Sequence, residues 1–524
     1  MCFYCNDNIP YKHIIYNFIM KQTKLKILKK FIADNSDAPV QGTQSWLQGR
    51  MFTVGGSEIS SIVGCNPFSS MEKLVAEKTG LTKFTGNHAT RWGNLFENIS
   101  ELLFKTLFIS HASKDNTRKT DHHNNSKHNQ DVITENQIYA TGGIQHKTIQ
   151  NHKYSPDGLC VLPFNGEYQI TLLEFKSPFS SVPAGTVPKH YLPQVKAGLC
   201  TIDIAERAVF VNNMFRKCSL DQLDFGLDYD TRYHKDTDVK MRGIEFAAAN
   251  GMILFYICKS NIGLFQKYYN EFIDTKVNLV IGELPKDPSD GNDNHNAKVT
   301  NASNNDEFAI GYGSDVSDNE LETMEETRQR IMCNDGTNIM YMIQDTTESK
   351  KLIDFGKMEG NLFNQFLELY KTDNQQSFLD IKCIKPQINR VLLQQKSKNF
   401  IIPGELGYVR EHDYIDTICR KYNFTKIITK FIGRCETKGD IPIGYLPWKL
   451  VKGSNIMVER DPEYLNTHKE KIDRVINIVK DINESKSDLE KVKKFNTYFE
   501  NTELGDSLYK DAAIKGGSLK EFCF

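Results

Sequence analysis

Residues 155–178 read SPDGLCVLPFNGEYQITLLEFKSP. Two apolar runs, LCVLPF and YQITLLEF, flank Asn165-Gly166. Asn-Gly between strand-like runs is the strongest short-range signal for a two-residue hairpin turn. With those two residues as the loop, Phe164 pairs with Glu167, and the same register carried down the ladder sets Asp157 opposite Glu174. Side chains alternate along a strand, so Lys176 shares the face of Glu174. Opposed like charges, with Cβ atoms about 4.5–5.5 Å apart, destabilise a sheet. Two carboxylates and one ammonium on a face suit a divalent ion held by oxygen ligands. The plain alternative is an Asp-Gly turn at 157–158 followed by a solvated strand face, because short motifs often match by chance.

The chain of 524 residues is long enough for more than one domain. Its 39% hydrophobic and 25% charged content allows a folded core with polar insertions. A formal net charge of −1 excludes a broadly basic surface, so nucleic acid would be met by a local basic groove and metal ions. The 12 cysteines form no framework and fit a reducing compartment. Cys160 and Cys200 read as small core residues, and the Cys2/Cys5 pair lacks the second pair a zinc site needs. Met1–Lys21 is broken by Asn, Asp, Pro and Lys, which is unlike a secretory signal, and no run of about 18 apolar residues offers a transmembrane span. The expectation is a soluble intracellular protein.

Along the chain we expect an N-terminal extension over 1–40, with a helix near TKLKILKKFIA, and a core over 41–283 interrupted by a polar, flexible insertion at 111–131. An acidic insertion of disordered composition covers 284–328, a helical region 329–399, and the C-terminal part of the core plus helices 400–524. Strands are expected in IYATGGIQHK, in the hairpin, in AVFVN at 208–212, in MILFYIC at 252–258, and in IPIGYLPWKL and SNIMVER. Helices are expected at Leu192–Thr201 and, from the spacing of Ile472, Val475, Ile476, Ile478, Val479 and Ile482, over 469–499. Strands and helices mix without a regular βαβ repeat, which indicates an α/β or α+β fold with a mixed sheet.

Three further segments bear on chemistry. In HATRWGNLFENISELLF, Trp92, Leu95, Phe96, Ile99, Leu102 and Leu103 form one stripe, with Glu97 roughly opposite. Spacing alone favours a surface charge there and leaves a cleft position open. In KHYLPQVKAGL, Gln194 and Lys196 enter a helix behind Pro193, and ordinary helix polarity accounts for both. In SWLQGRMFTVGGSEISSIVGCNPFSS, Gly55-Gly56-Ser57 precedes a helix-like segment. Arg50 and Ser57 are candidates for a phosphate there, and a plain N-cap at Ser57 explains the segment as well.

The order SWLQGR, TVGGSEISSIVGCNPFSS, KTG, WGNLFE, SPDG, LLEFKSP and YLPQVKAGL, over about Ser45 to Asn212, resembles the phage lambda exonuclease and viral alkaline exonuclease branch of the PD-(D/E)XK nuclease superfamily. IPIGYLPWKL resembles the closing segment of large-DNA-virus members. The resemblance implies a restriction-endonuclease-like mixed β-sheet core flanked by helices. It implies a Mg²⁺-dependent deoxyribonuclease, with Mn²⁺ as a substitute, that degrades linear double-stranded DNA from 5′ ends and yields 5′-phosphates in viral DNA processing or recombination. By position it makes Asp157, Glu174, Lys176 and Gln194 catalytic. It makes Glu97, Asp157, Glu174 and the main-chain carbonyl of Phe175 metal ligands, and Arg50 and Ser57 the holders of the terminal 5′-phosphate. A single-strand annealing protein and a homo-oligomer follow as partners, in a host cytoplasm or nucleus. Two other readings stay open: a PD-(D/E)XK endonuclease on DNA or RNA, and an inactive DNA-end-binding recombination scaffold.

Overall fold

The computed structural model describes residues 11–39, 43–82, 86–109, 137–164, 167–225, 249–271, 337–370, 378–388, 400–401, 423–499, 503–504 and 507–508. The Cys2/Cys5 pair, the Asn165-Gly166 loop and the insertions expected at 111–131 and 284–328 lie outside them.

The chain opens with α1 (Tyr11–Asp34), α2 (Gln44–Met51), the short strand β1 (Val54–Gly55), α3 (Ile59–Ile62), α4 (Met71–Lys78) and α5 (His88–Phe104). Side-chain oxygens of Thr43, Ser70 and Asn87 accept from backbone N–H groups at the starts of α2, α4 and α5, which fixes where those helices begin. Strands β2 (Ile144–Gln145) and β3 (His152–Tyr154) then join β1 in a three-stranded sheet ordered β1-β3-β2.

The main sheet starts with the hairpin β4 (Gly158–Phe164) and β5 (Glu167–Lys176). Its pairs run from Phe164↔Glu167 to Gly158↔Leu173, the register expected from the sequence. Asp157 is the next residue past the last pair, abreast of Glu174. From β5 the chain crosses through α6 (Leu192–Thr201) to β6 (Arg207–Lys217), which lies parallel to β5. β7 (Ala249–Ile257), the short β8 (Ile353–Asp354), β9 (Asp380–Cys383), β10 (Gln387–Ile388) and β11 (Phe400–Ile401), and the 19-residue β12 (Ile441–Glu459) complete it. The order is β10-β7-β12-β6-β5-β4, with β8 and β11 on β12 and β9 on β7. This is a mixed sheet flanked by helices, as expected.

The two pieces IPIGYLPWKL and SNIMVER are one strand. Its first half pairs with β7 and its second half with β6, so β12 ties the two together. The region 329–399, expected to be helical, holds helices Thr337–Ser349 and Gly360–Tyr370 but also β8, β9 and β10. The correction has a physical reason. Leu379, Ile381 and Cys383 alternate with polar residues, and this period of two fits pairing with the edge of β7.

The face of the sheet that carries Glu174 is covered by α6 and α1, through Leu28, Ile170, Leu172, Val195, Leu199 and Phe210. On the opposite face Phe104, Cys160, Leu173, Phe175, Val209 and Val211 form a second apolar layer. The apolar residues of the helix Lys469–Asn483, all six predicted from spacing, are buried against Val54, Ile59, Leu74 and Val75. They support the segment β1–α4 from behind. Among the described residues, no helix is long and apolar enough to cross a membrane.

Candidate functional site

The end of β5 faces a cavity of about 490 Å³. Its lining brings together Arg50, Ser57, Glu97, Asp157, Phe175, Lys176 and Gln194. Glu174 is fully buried and joins this lining through its bonds with Lys176 and Gln194. The structure thus gathers every candidate residue named from the sequence into one place.

The charge problem of the hairpin is answered by dense bonding. Lys176 Nζ and Gln194 Nε2 both donate to Glu174 Oε1, and Tyr154 Oη donates to Glu174 Oε2 at 2.6 Å. Asp157 Oδ2 accepts from the Phe175 backbone N–H at 2.7 Å. Lys176 Nζ also donates to the Phe175 carbonyl at 3.1 Å and stands 4.0 Å from Asp157 Oδ2. Burial, with the charge of Glu97 added, pushes the Asp157 carboxyl up to about 7 against the pull of Lys176. Burial and the charge of Asp157 push Glu174 up to about 7 as well. Burial alone would lower the Lys176 ammonium, but Glu174, Asp157 and Glu97 together raise it.

Glu97 lines the same cavity as Asp157, and its charge helps to raise the Asp157 carboxyl. The surface-charge reading is therefore corrected. α5 is buried on two sides, and its polar side docks on the end of β5. Ser100 Oγ meets Ser177 Oγ at 2.8 Å, and Gly93, one turn before Glu97, brings the helix close to the Ser177 carbonyl. The small residues Gly93 and Ser100 flanking Glu97 on one helix side were the available signal.

The donor chemistry fits a hard divalent cation. It is all oxygen, and its buried carboxylates raise one another's pKa, an arrangement that favours a proton or a cation. The Lys176 ammonium already bonds the Phe175 carbonyl and Glu174, two of the atoms expected as ligands. The three acids are not drawn into one ligand group, and no such group of three occurs among the described residues. Glu174 is held aside by Tyr154, Gln194 and Lys176.

At the other side of the cavity, Arg50 lies over the Trp46 ring at 4.9 Å and gives its Nε–H to Glu58 at 3.0 Å. Glu58 is buried and pairs with buried Lys78 at 2.8 Å, and Lys78 also donates to the carbonyls of Arg50 and Thr53. Burial opposes ionisation of Glu58, yet Lys78 and Arg50 outweigh it and hold the carboxyl below its ordinary range. Ser57 is exposed and is not an N-cap. The cap is at Gly55, whose N–H is taken by Glu58 at 2.9 Å.

Tyr154, Glu58 and Lys78 were not found from the sequence. The Tyr154 ring links the two ends of the site. A Cβ on Gly56, beside Ser57, would sit 2.3 Å from its ring, and one on Gly198 of α6 would sit 2.4 Å from it. The glycines at both positions are required by this close approach.

Residues 45–204 match the family model of the YqaJ-like viral recombinase domain. Two African swine fever virus proteins named Protein D345L also match. That of the Malawi tick isolate is 31% identical over 227 residues, covering 40% of this chain and 59% of its own length. That of the Badajoz strain is 29% identical with the same coverage. The chain thus spans 59% of the length of these curated relatives. Among solved structures, an alkaline exonuclease (LHK-Exo) from Laribacter hongkongensis aligns with 18% identity and a TM-score of 0.23, over 33% of this chain and 74% of that one. The resemblance drawn from the motifs is borne out over the segment that carries the site.

Proposed function

We propose that this chain is a divalent-metal-dependent nuclease that shortens linear duplex DNA from 5′ ends and leaves 5′-phosphates, in viral DNA processing or recombination. The observation that carries this reading is the shared cavity, which Glu97, Asp157 and Lys176 line together with Arg50 and Ser57. The match to a viral recombinase domain over the same residues supports it.

Glu97, Asp157, Glu174 and the Phe175 carbonyl would hold Mg²⁺, or Mn²⁺ in its place. When bound, the metal supplies a nucleophile at neutral pH and offsets charge on the scissile phosphate. The chain's own groups do the rest. Lys176 orients the attacking water and offers its ammonium to the developing negative charge. Gln194 and Tyr154 fix the rotamer of Glu174. Attack at phosphorus releases the 3′ oxygen, and the next nucleotide keeps a 5′-phosphate. Arg50 spends its Nε–H on Glu58, and its two terminal amino groups carry four further donors in a fork suited to a phosphate.

The test is digestion of linear duplex DNA labelled at one end, with Mg²⁺, by the wild type and Asp157→Ala, with closed circles as control. Stepwise loss from 5′ ends, absent in the variant and on circles, is expected. Cutting of circles would replace the end-dependent reading with an endonuclease, and tight end binding without hydrolysis would leave a scaffold. Arg50→Ala should lower the preference for 5′-phosphorylated over 5′-hydroxyl ends. An unchanged ratio removes Arg50 from that role.

A further inference from the structure

Phe68 is 74% exposed, more than any other large apolar side chain among the described residues. Its position is built rather than loose. Asn66 Oδ1 accepts from the Phe68 backbone N–H at 2.9 Å, Asn66 Nδ2 donates to Ser61 Oγ at 3.0 Å, and the Asn66 N–H donates to the Ser60 carbonyl at 3.1 Å. Pro67 between them fixes its own backbone torsion. The turn is thereby anchored to α3 and holds an aromatic ring in water, where it gains nothing for the fold.

That ring is the outer member of a row. Phe68 stands edge-on to His190, with centroids 5.7 Å apart. His190 and Tyr191 follow at 4.1 Å. The inner face of Tyr191 rests against buried Phe210 at 5.6 Å, and Lys176 Nζ lies 5.7 Å from the Tyr191 centroid. Phe68, His190 and Tyr191 all line the cavity that holds the acids, and so does Lys73 beside Phe68. The row therefore runs from solvent to the side chain assigned to the scissile phosphate.

We infer that Phe68, His190 and Tyr191 form a stacking row that takes the unpaired bases of the strand whose phosphate enters the Lys176 site. The inference rests on the nuclease reading and adds to it a single-stranded nucleic-acid subsite. Flat, polarisable bases are the ligand chemistry that an exposed ring row with a flanking ammonium recognises, and stacking is tolerant of sequence because every base has a π-face. A strand led along the row reaches the acids one nucleotide at a time, with its bases unpaired before its phosphates are cut.

The experiment measures binding of a single-stranded DNA oligonucleotide that contains 2-aminopurine, by full-length protein carrying Asp157→Asn so that the probe stays intact. Asp157→Asn alone should bind and quench the fluorophore. Adding Phe68→Ala should weaken binding by about fivefold to 150-fold, the range for loss of one base–aromatic stack, and relieve the quench. Phe68→Trp should restore both, whereas Phe68→Leu, apolar but without a π-face, should not restore the quench. The ring is exposed, so its removal leaves the core intact, and an unchanged thermal melt verifies this. Equal affinity and equal quench in Phe68→Ala, alongside wild type that degrades DNA, overturn the stacking row and leave the nuclease reading standing. Absence of both DNA cutting by wild type and probe binding overturns the two together.

Discussion

Tyr154→Phe removes one hydroxyl and keeps the ring that fills the space between Gly56 and Gly198. Glu174 is fully buried, and its partners are divided: Lys176 and Gln194 both reach Oε1, whereas Tyr154 donates to Oε2. Burial and the neighbouring Glu174 charge hold the Tyr154 phenol well above its ordinary range, so it remains a donor across the working pH. At pH 8 Glu174 is largely ionised, since its carboxyl is pushed up only to about 7. A hydrogen bond to a charged buried group contributes about 1.5–3 kcal/mol, and its loss strands a lone pair with no water to replace the donor. Urea unfolding at pH 8 without metal should show that loss as a lower midpoint at unchanged slope. The functional cost is separate. Groups that orient a metal ligand are worth about tenfold to 100-fold in metal affinity or activity, so the Mg²⁺ concentration for half-maximal DNA degradation should rise by that factor. Gly198→Ala should shift both measurements the same way, because its Cβ would displace the Tyr154 ring. An unchanged urea midpoint together with a Mg²⁺ dependence within twofold of wild type in Tyr154→Phe would refute the claim that this hydroxyl holds Glu174.

Three other outcomes are expected. In metal-free buffer at pH 8, Asp157→Asn should be at least as stable as wild type, because it removes a carboxylate that burial disfavours. Mg²⁺ should then raise the melting temperature of wild type far more than that of the variant, and equal shifts would count against metal binding at this site. Glu58→Gln breaks a buried pair with Lys78 and frees Arg50. It should cost about 3–5 kcal/mol and reduce the 5′-phosphate preference as Arg50→Ala does; a variant with wild-type preference shows that Arg50 needs no such brace. His152 is buried, neither ring nitrogen has a hydrogen-bond partner, and burial lowers its pKa from 6.5 to about 3. The unfolded chain therefore takes up a proton below pH 6.5 that the native chain refuses until about pH 3, so stability falls as pH drops through that window. Between pH 7 and pH 5 the loss approaches about 2 kcal/mol, and His152→Leu should abolish that part. An identical pH dependence in the variant would mean that His152 is not its source.

The hairpin was legible because one turn and a side-chain period of two determine every pair below it, down to Asp157 abreast of Glu174. The bounds of α6 were legible because Pro193 marks its start and the apolar run sets its length. Glu97 was not, because a helical wheel records apolar faces only, and α5 buries a second, polar one through Ser100 and Gly93. Tyr154 contributes through β3, and its contact with Glu174 depends on how the small sheet sits against α6 and β5, which no local pattern encodes. The buried Glu58–Lys78 pair looks like ordinary surface charge in sequence, since its partners, the Arg50 side chain, the Gly55 N–H and the carbonyls of Arg50 and Thr53, are brought to it by the fold. The strands β8, β9 and β10 are short pieces whose conformation is fixed by pairing with β12 and β7 rather than by propensity.

The position of β12 sets a schedule for biosynthesis. A ribosome completes β6 at Lys217, yet the neighbour that covers its free edge is finished only at Glu459. At roughly 5–20 residues per second this interval is on the order of tens of seconds. Throughout it the nascent chain displays an uncapped row of amide and carbonyl groups, a template for misassembly that a co-translational chaperone would have to shield. The residues of the cavity are already translated, but the strand that makes their scaffold rigid is not. Maturation is thereby timed by translation itself, and a message cut short before the codons of β12 yields a polypeptide that holds every reactive group and lacks the frame to aim them.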